Sequence, residues 1–486
     1  MIQFTRIYNS YGSLVRSLLS RLAIVSVCFT LVACPKKEPW DCAASESVSN
    51  KHDNATRITP IIQIDGTPSM QGFVQNIRRD NYGPFFDDQG RPIADPNGRS
   101  IFNRTLRLID DTFAAFPKSE SPKYYRFGTK REDKSFGNKS DKARYPNFYG
   151  DYFLDKDKYH YLGDAKIDKA IIPVDGDVSD EISIIVTDLY QQNAVISDVI
   201  ASLRKHYLEK QYAVGVIALK SQFDGTVYDI NLGGNSQDYR TSDQYPQKFR
   251  PFYLLVLGTY DNVSRFFDTF KDKSKNVGLN FAENKFVIFS SLLVKETSML
   301  NITKPTLDNN GIERQFTIND GQVMIEVKNE QTIDRLMITN KAKDMEKINY
   351  QVDYQPLSYT LPIRPESIEF KIQGDFNNNT KDFSPDQNID KIFNLGNAKF
   401  LNNRLLTFEA NLNTNEMQTG VYKFIVDLIP RKVESPKWWK EQNLSENDQF
   451  DGSRTYNLFP FLQDLSDLTI KSQQPIGHFC YILHKK

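Results

Sequence analysis

The pattern of apolar and polar positions divides the chain into two parts. Between residues 57 and 296, short apolar runs alternate with stretches in which apolar residues recur at helical spacing. The runs predict strands at 61–64, 124–127, 182–186, 212–219, 252–257 and 286–289, and the spacing predicts helices at 101–114, 194–207 and 263–270. Apolar runs with little polar alternation are typical of central parallel strands. We therefore expect 57–296 to be an α/β domain with a doubly wound, mostly parallel sheet covered by helices.

The pattern changes after about residue 297. Shorter segments with alternating character follow at 322–327, 366–372, 405–410 and 421–428, separated by Asn, Asp, Gly and Pro. Such spacing is typical of antiparallel sheets, so we expect 297–486 to be a β-rich, sandwich-like region. It also contains a helix-like insert at 459–468 and the pair Trp438-Trp439, which we expect to pack in a core rather than to form an exposed contact for a partner.

The N-terminus has the pattern of an export signal. Arg6, Arg16 and Arg21 precede an apolar run from Leu22 to Ala33, which is shorter than the roughly 20 residues that span a bilayer. The run ends in Leu31-Val32-Ala33-Cys34, which resembles a bacterial lipobox. The resemblance implies that 1–33 is a lipoprotein signal peptide and that Cys34 carries the acyl (palmitate-type) chains that anchor the protein to a membrane. An ordinary signal peptide or an uncleaved anchor helix are the alternatives.

The expected destination is the bacterial cell envelope, on its periplasmic or surface face. Residues 34–56 are rich in Lys, Glu, Ser and Asn, and we interpret them as a spacer. Exported proteins form disulfides, and the mature chain would retain Cys42 and Cys480 besides the lipidated residue. A bond between them would close a very long loop, although two independent buried thiols are an equal alternative.

Composition narrows the function classes. Lys plus Arg and Asp plus Glu both number 61, so the net charge is zero, which argues against a nucleic-acid partner. With 24 Tyr and 33 Phe the chain can build well-packed cores. The five histidines show no metal-binding spacing, and neither a Gly-x-Ser-x-Gly elbow nor a phosphate-binding Gly-x-x-x-x-Gly-Lys loop is present in the sequence.

Two of the predicted strands end in an acid with neighbouring hydroxyls. Asp65, Thr67 and Ser69 follow the strand at 61–64 at alternate positions, and Thr187-Asp188 follows the strand at 182–186. Ligands of doubly wound sheets bind outside the carboxyl ends of the strands. Carboxylate and hydroxyl oxygens suit a hard cation, so Mg²⁺ or another divalent cation is expected there.

At these residues the chain resembles the von Willebrand factor A family over roughly 57–260. That family has an Asp-x-Ser-x-Ser loop and a later Thr-Asp-Gly, which together hold a divalent cation in the site called MIDAS. The resemblance implies that Asp65, Thr67, Ser69 and Asp188 are metal ligands, and Met70 and Gly72 match the family's Ser-Met-x-Gly continuation. It also implies a protein partner that offers a carboxylate to the cation.

The chain departs from the family's pattern at two positions. Ala165 stands where a third family loop has Thr, so Asp164 or Thr129 would have to supply that oxygen, and Leu189 replaces the family's Gly. A structural envelope scaffold with a degenerate, metal-free site is therefore an alternative, in which Asp65 and Ser69 only cap a helix that begins near Met70.

A hydrolase, metal-dependent or acting through Asp65 and Asp188 as paired acids, is the third alternative. Asp65-Gly66-Thr67 also resembles the opening motif of the haloacid-dehalogenase phosphohydrolases, but the nucleophile's position is occupied by Gln63. An amide cannot form the acyl-phosphate, so a non-enzymatic binding protein is the main expectation.

Overall fold

The computed structural model describes residues 58–73, 85–86, 92–93, 100–133, 163–174, 178–189, 193–230, 235–294 and, with further gaps, 303–486. The predicted signal peptide, Cys34, the spacer and Cys42 lie outside these residues. Among the helices of the described ranges, none has both the length and the apolar character needed to cross a membrane.

The first part of the chain alternates strands and helices. Its strands are β1 Thr59–Asp65, β2 Phe85–Phe86, β3 Pro92–Ile93, β4 Lys123–Phe127, β5 Arg131–Asp133, β6 Glu181–Thr187, β7 Ala213–Ser221, β8 Asp224–Ile230, β9 Asn235–Arg240, β10 Arg250–Gly258 and β11 Phe286–Phe289. Its helices are α1 Ile101–Ala114, α2 Ile167–Ile171, α3 Asn193–His206 and α4 Tyr260–Asn276. The α/β class expected for this part is therefore confirmed, with each predicted strand and helix present.

Seven of these strands form one mixed sheet in the order β11-β7-β10-β6-β1-β4-β5. β1 pairs in parallel with β4 and β6, but the other four pairings are antiparallel. The prediction of a mostly parallel sheet is wrong for this reason. In its described residues, the connection from β7 to β10 contains the β8–β9 hairpin and a short 3₁₀ helix, Pro246–Lys248, but no α-helix that would cross over the sheet, so β10 returns antiparallel. An apolar run encodes burial and carries no information on strand direction.

Both faces of the sheet are covered. On β6, Ile184 and Val186 contribute to a core with α1 and α4, and Ile185 contributes to a second core with α2 and α3. Alternate residues of a strand point to opposite faces, which is why a strand buried on both sides is mostly apolar on both faces.

The second part of the chain is rich in strands. They are β12 Thr303–Leu307, β13 Ile312–Arg314, β14 Thr317–Asn319, β15 Gln322–Met324, β16 Arg335–Ile338, β17 Met345–Asp353, β18 Ile368–Asn377, β19 Ser384–Pro385, β20 Phe393–Asn402, β21 Leu405–Asn413, β22 Gly420–Pro430, β23 Asn443–Leu444, β24 Thr455–Tyr456 and β25 Gly477–Lys485. Three helices accompany them, α5 Ile389–Ile392, α6 Trp438–Glu441 and α7 Leu458–Lys471.

Two sheets of this part face each other across one apolar core. One has the order β12-β17-β21-β20 and the other β13-β16-β25-β22-β18-β19. Tyr350 and Phe408 of the first sheet both stack with Phe479 of the second, with ring centroids 5.9 and 5.7 Å apart. These contacts between rings join the two sheets into one packed unit.

Helices α6 and α7 do not belong to this core. Trp438, Trp439 and Phe461 are buried in the same core as Ile185 and Leu255 of the first sheet. The tryptophan pair is thus in a core, as expected, but this core belongs to the α/β sheet and not to the two facing sheets of the second part. A segment beyond residue 296 therefore completes the second face of the sheet that 57–296 forms.

Candidate functional site

Three strands bring polar groups to one edge of the mixed sheet. β1 ends at Asp65 and β6 ends at Thr187, and these parallel neighbours finish on the same side. β10 runs antiparallel to β6, with Tyr253 opposite Thr187, so the first residue of β10, Arg250, lies at this edge as well. The two loops that the sequence predicted to meet are therefore adjacent.

The Asp65 carboxylate is fully buried and held by three donors. Its Oδ1 accepts from the Thr67 backbone N at 3.0 Å and from Thr67 Oγ1 at 2.7 Å, and its Oδ2 accepts from Thr187 Oγ1 at 2.8 Å. Burial, and then repulsion from Asp188, raise the pKa of Asp65 to about 7, although the hydrogen bonds from Thr67 and Thr187 oppose the shift. The carboxyl group therefore changes its charge near neutral pH.

The second acid, Asp188, forms a buried ion pair. Its Oδ2 accepts from Arg250 Nη2 at 2.8 Å, and the two side chains are 3% and 1% exposed. The Arg250 guanidinium also lies over the Phe223 ring, 5.1 Å from its centroid. A second buried guanidinium, that of Arg126 on β4, donates from Nη2 to Gly66 O at 3.4 Å. Two cationic side chains therefore accompany the two acids at this edge.

The hydroxyls of the first loop are arranged next to Asp65. Thr67 Oγ1 and Ser69 Oγ share a hydrogen bond of 3.1 Å, and Ser69 is only partly buried. Ser69 lies within a 3₁₀ helix, Pro68–Phe73, whose first turn is closed by the hydrogen bond from Met70 N to Thr67 O. Asp65 accepts from Thr67 N directly before this helix, as the metal-free alternative expects, but Ser69 lies inside the helix and does not cap it. The loop places the hydroxyls of Thr67 and Ser69 side by side.

Gly72 of this 3₁₀ helix is required by packing. A Cβ at Gly72 would lie 2.4–2.7 Å from atoms of the Phe223 ring. The Arg250 guanidinium lies over the same Phe223 ring. The glycine of the Ser-Met-x-Gly continuation therefore lets Phe223 bring the first loop and the Arg250 ion pair together.

Asp164 lies near this edge without joining the hydroxyl cluster. Its loop is attached to the loop after β4 through the hydrogen bond from Lys166 N to Gly128 O at 3.1 Å, and Gly66 N donates to Phe127 O at 2.8 Å. Asp164 itself is exposed, and within the described part of the chain no hydrogen bond joins it to Asp65, Thr67 or Ser69. The structure therefore places Asp164 at the rim of this edge and not beside the buried Asp65 and Thr67.

Leu189 has a left-handed backbone, with a φ of 51°. This conformation is costly for a side chain with a Cβ and easily adopted by Gly. Leu189 stands where the resemblance expects Gly, a residue that would adopt this backbone conformation with less strain. The buried side chain of Leu189 packs in the core that contains α3 and α7, which offsets part of that cost.

The distance between the two hydroxyl oxygens at this edge favours a hard cation, whereas the charge of Arg250 disfavours one. Two ligands at adjacent octahedral positions of Mg²⁺ lie about 2.9 Å apart, close to the 3.1 Å between Thr67 Oγ1 and Ser69 Oγ. Arg250, in contrast, already neutralises the second acid. Within the described ranges no group of three or more His, Cys, Asp or Glu side chains could hold a metal, so any cation here would depend on hydroxyl oxygens.

Sequence reasoning missed the two arginines. Arg126 and Arg250 lie within or beside apolar strands, where charged side chains are rarely buried unless they are paired. That signal was available in the sequence Phe249-Arg250-Pro251-Phe252. Only the antiparallel direction of β10 reveals that Arg250 faces the site.

Gln63 has a structural role. Its amide nitrogen donates to Ala170 O at 2.7 Å and to Ser183 Oγ at 2.8 Å, which ties β1 to α2 and β6. These bonds suit a buried amide in a sheet and give Gln63 no part in chemistry at the edge.

Cys480 on β25 forms a disulfide bond. Its partner lies outside the described residues, so the pairing with Cys42 stays a prediction.

No protein-family model matches the chain, and neither a curated protein nor a solved structure gives a significant match.

Proposed function

We propose that this chain is a lipid-anchored envelope protein with a von Willebrand factor A-like domain, which binds a protein partner through a divalent cation. Thr67 and Ser69 would hold the cation with their hydroxyl oxygens, and Asp65 and Asp188 would provide the negative charge beside it. The observation that carries the proposal is the spacing of the two hydroxyl oxygens, 3.1 Å, next to a buried carboxylate.

The electrostatics of Asp65 support the proposal. A buried acid next to a second acid has a raised pKa because the anion is poorly stabilised. A cation within reach would stabilise that anion and lower the pKa. The cation would supply an electrophilic anchor for a carboxylate of the partner. Ser69, partly exposed beside the buried Thr67, marks the side from which such a carboxylate would approach.

Titration of the purified full chain with Mg²⁺ and Mn²⁺ tests the proposal. We expect either ion to raise the melting temperature at pH 7.5 and EDTA to reverse the rise. Thr67→Val and Ser69→Ala should abolish the shift. Thr226→Val is a matched control, because Thr226 Oγ1 donates to Asp238 Oδ1 at 2.8 Å in a similar hydroxyl–carboxylate pair outside the site. The absence of any shift in the unmodified protein would reject the cation.

A metal-free scaffold is the second candidate, and the Asp188–Arg250 ion pair favours it. In that case the positive charge of Arg250 replaces that of the cation, and the polar edge only fixes the loops after β1 and β6. Arg250→Gln separates the two candidates. If the cation binds, removal of the competing charge should enlarge the melting-temperature shift with Mg²⁺, whereas a scaffold would show none before or after the substitution.

Lipid anchoring is tested independently of the site. Cells that express the chain and are fed labelled palmitate should incorporate the label, and Cys34→Ser should abolish it and release the protein from the membrane fraction. A peptide map without reduction should contain Cys42 joined to Cys480. Label that persists in the Cys34→Ser variant would contradict the proposed anchor.

A further inference from the structure

A groove lies between β9 and the loop 448–454, next to the polar edge, since the Tyr239 ring that lines it packs 6.4 Å from the Phe223 ring. Its volume is about 670 Å³, within the range of about 300–1,000 Å³ that is typical of small-molecule sites. We call it the tyrosine groove, after Tyr239 and Tyr245, which line it together with Phe450. None of these residues belongs to the candidate cation site.

The aromatic walls of the tyrosine groove are of two kinds. Tyr239 is fixed, since its hydroxyl donates to Lys248 O at 2.5 Å and its ring meets that of Phe450 edge-on at 6.2 Å. Gly452 allows this close packing, because a Cβ there would be 2.4 Å from Tyr239 Cγ. Tyr245 is 56% exposed, although aromatic rings usually bury most of their surface. The groove thus combines a rigid wall with an accessible aromatic face.

The charged side chains of the groove compensate one another. Asp451 pairs with Lys248 at 3.2 Å and lies 3.7 Å from Arg454, and Arg240 pairs with Asp224 at 2.7 Å. A phosphate or a nucleotide would need an excess of cationic donors, and a purely apolar ligand would desolvate these ion pairs without replacing their hydrogen bonds. A neutral ligand that both donates and accepts hydrogen bonds suits such walls best.

We propose that the tyrosine groove binds a neutral oligosaccharide of two or three sugar rings. The apolar faces of the rings would stack on Tyr245 and Phe450, as amphipathic aromatic contacts allow. The sugar hydroxyls would donate to Asp451 and accept from Arg454 and Lys248. Tyr239, fixed by its hydrogen bond to Lys248 O, would hold the Phe450 side of the groove in place, whereas Tyr245 would lose side-chain freedom on binding.

Calorimetric titration of the full chain with chitotriose, cellotriose and maltotriose tests this inference. At least one trisaccharide should bind, and Tyr245→Ala should weaken its binding at least tenfold. Tyr228→Ala is the matched control, because Tyr228 is 41% exposed on β8 and lies outside the groove. It should change the affinity less than twofold. The affinity should be the same with and without EDTA, which separates this test from that of the cation.

Two outcomes would overturn the inference. One is that none of the three trisaccharides produces heat or protects the protein from thermal unfolding. The other is that Tyr228→Ala weakens binding as much as Tyr245→Ala, because the saccharide would then bind elsewhere on the hairpin. Gly452→Leu provides a further check, since its side chain would displace the Tyr239 ring that lines the groove and should lower the affinity without altering Tyr245.

Discussion

Arg250 Nη2 donates to Asp188 Oδ2 at 2.8 Å, and both side chains are almost completely buried. The pair joins the first residue of β10 to the loop after β6, two segments between which α3, β7 and the β8–β9 hairpin lie along the chain. Removing one partner of a buried ion pair leaves an uncompensated charge, which costs far more than losing an exposed pair. The stability of the polar edge therefore depends on this contact.

We expect Arg250→Met to lower the free energy of unfolding by about 3–5 kcal/mol. Urea denaturation at pH 7.5 measures the loss. Arg240→Met is the control, because Arg240 pairs with Asp224 at 2.7 Å but is 64% exposed, and exposed pairs contribute about 1 kcal/mol or less. Asp188→Asn combined with Arg250→Met should recover part of the loss. Equal effects of the two arginine substitutions would contradict the role given to the buried pair.

The raised pKa of Asp65 predicts that the free energy of unfolding falls as the pH rises toward neutrality. Its pKa is 3.8 in the unfolded chain and about 7 in the folded chain. Between these values the unfolded state has released a proton that the folded state still holds, so rising pH favours unfolding. The full cost, reached above pH 7, is up to about 4 kcal/mol.

Asp65→Asn removes this titration and keeps the shape of the side chain. We expect the variant to be more stable than the unmodified protein at pH 8 in a metal-free buffer, with a much smaller difference at pH 4. Urea denaturation across this range measures the two curves. Asp238→Asn, at an exposed site, should leave the pH dependence unchanged. A pH profile that stays the same in Asp65→Asn would mean that another group titrates.

Leu189 allows strain and packing to be separated. Leu189→Ala removes the buried side chain but keeps the Cβ that the left-handed backbone disfavours, whereas Leu189→Gly removes both. We expect both variants to be less stable than the unmodified protein, and the Gly variant to be more stable than the Ala variant by about 1 kcal/mol. Thermal and urea unfolding provide the comparison. If Ala were the more stable of the two, the left-handed conformation of this loop would be wrong.

Much of the fold was predictable because the pattern of apolar residues indicates which segments are buried. The apolar run 286–289 matches β11 and the helical spacing at 101–114 matches α1. Strand direction was not predictable, since Arg250 to Gly258 is equally apolar in either orientation. The polar hairpin β8–β9 was missed for a related reason, because β9 is almost entirely exposed and has no apolar face to detect.

The candidate site was predictable only in part. Asp65, Thr67 and Asp188 were found because acids and hydroxyls follow two apolar runs, and parallel pairing of β1 with β6 brings those ends together. Arg250 and Arg126 act on the same site through contacts that arise only when the strands are assembled. The left-handed backbone at Leu189 could not be predicted from a leucine. The only indication was that the resemblance expects Gly at this position.

The position of Trp439 predicts that residues 58–296 do not form a complete domain. Trp439 is fully buried, and its ring lies 5.9 Å from that of Phe289 on β11. A fragment of residues 58–296 would expose the face that α6 and α7 cover. We expect it to bind a hydrophobic dye, to melt at a lower temperature than the full chain and to aggregate on heating.

A substitution in the full chain tests the same contact without truncation. Trp439→Ala should lower the free energy of unfolding by about 3–5 kcal/mol, and Trp439→Phe, which keeps an aromatic ring beside Phe289, should lower it less. Limited proteolysis of Trp439→Ala should produce new cuts within 163–294 although the substitution lies beyond them. A fragment 58–296 that melts cooperatively at the temperature of the full chain, without binding the dye, would show that the first sheet is stable without the C-terminal helices.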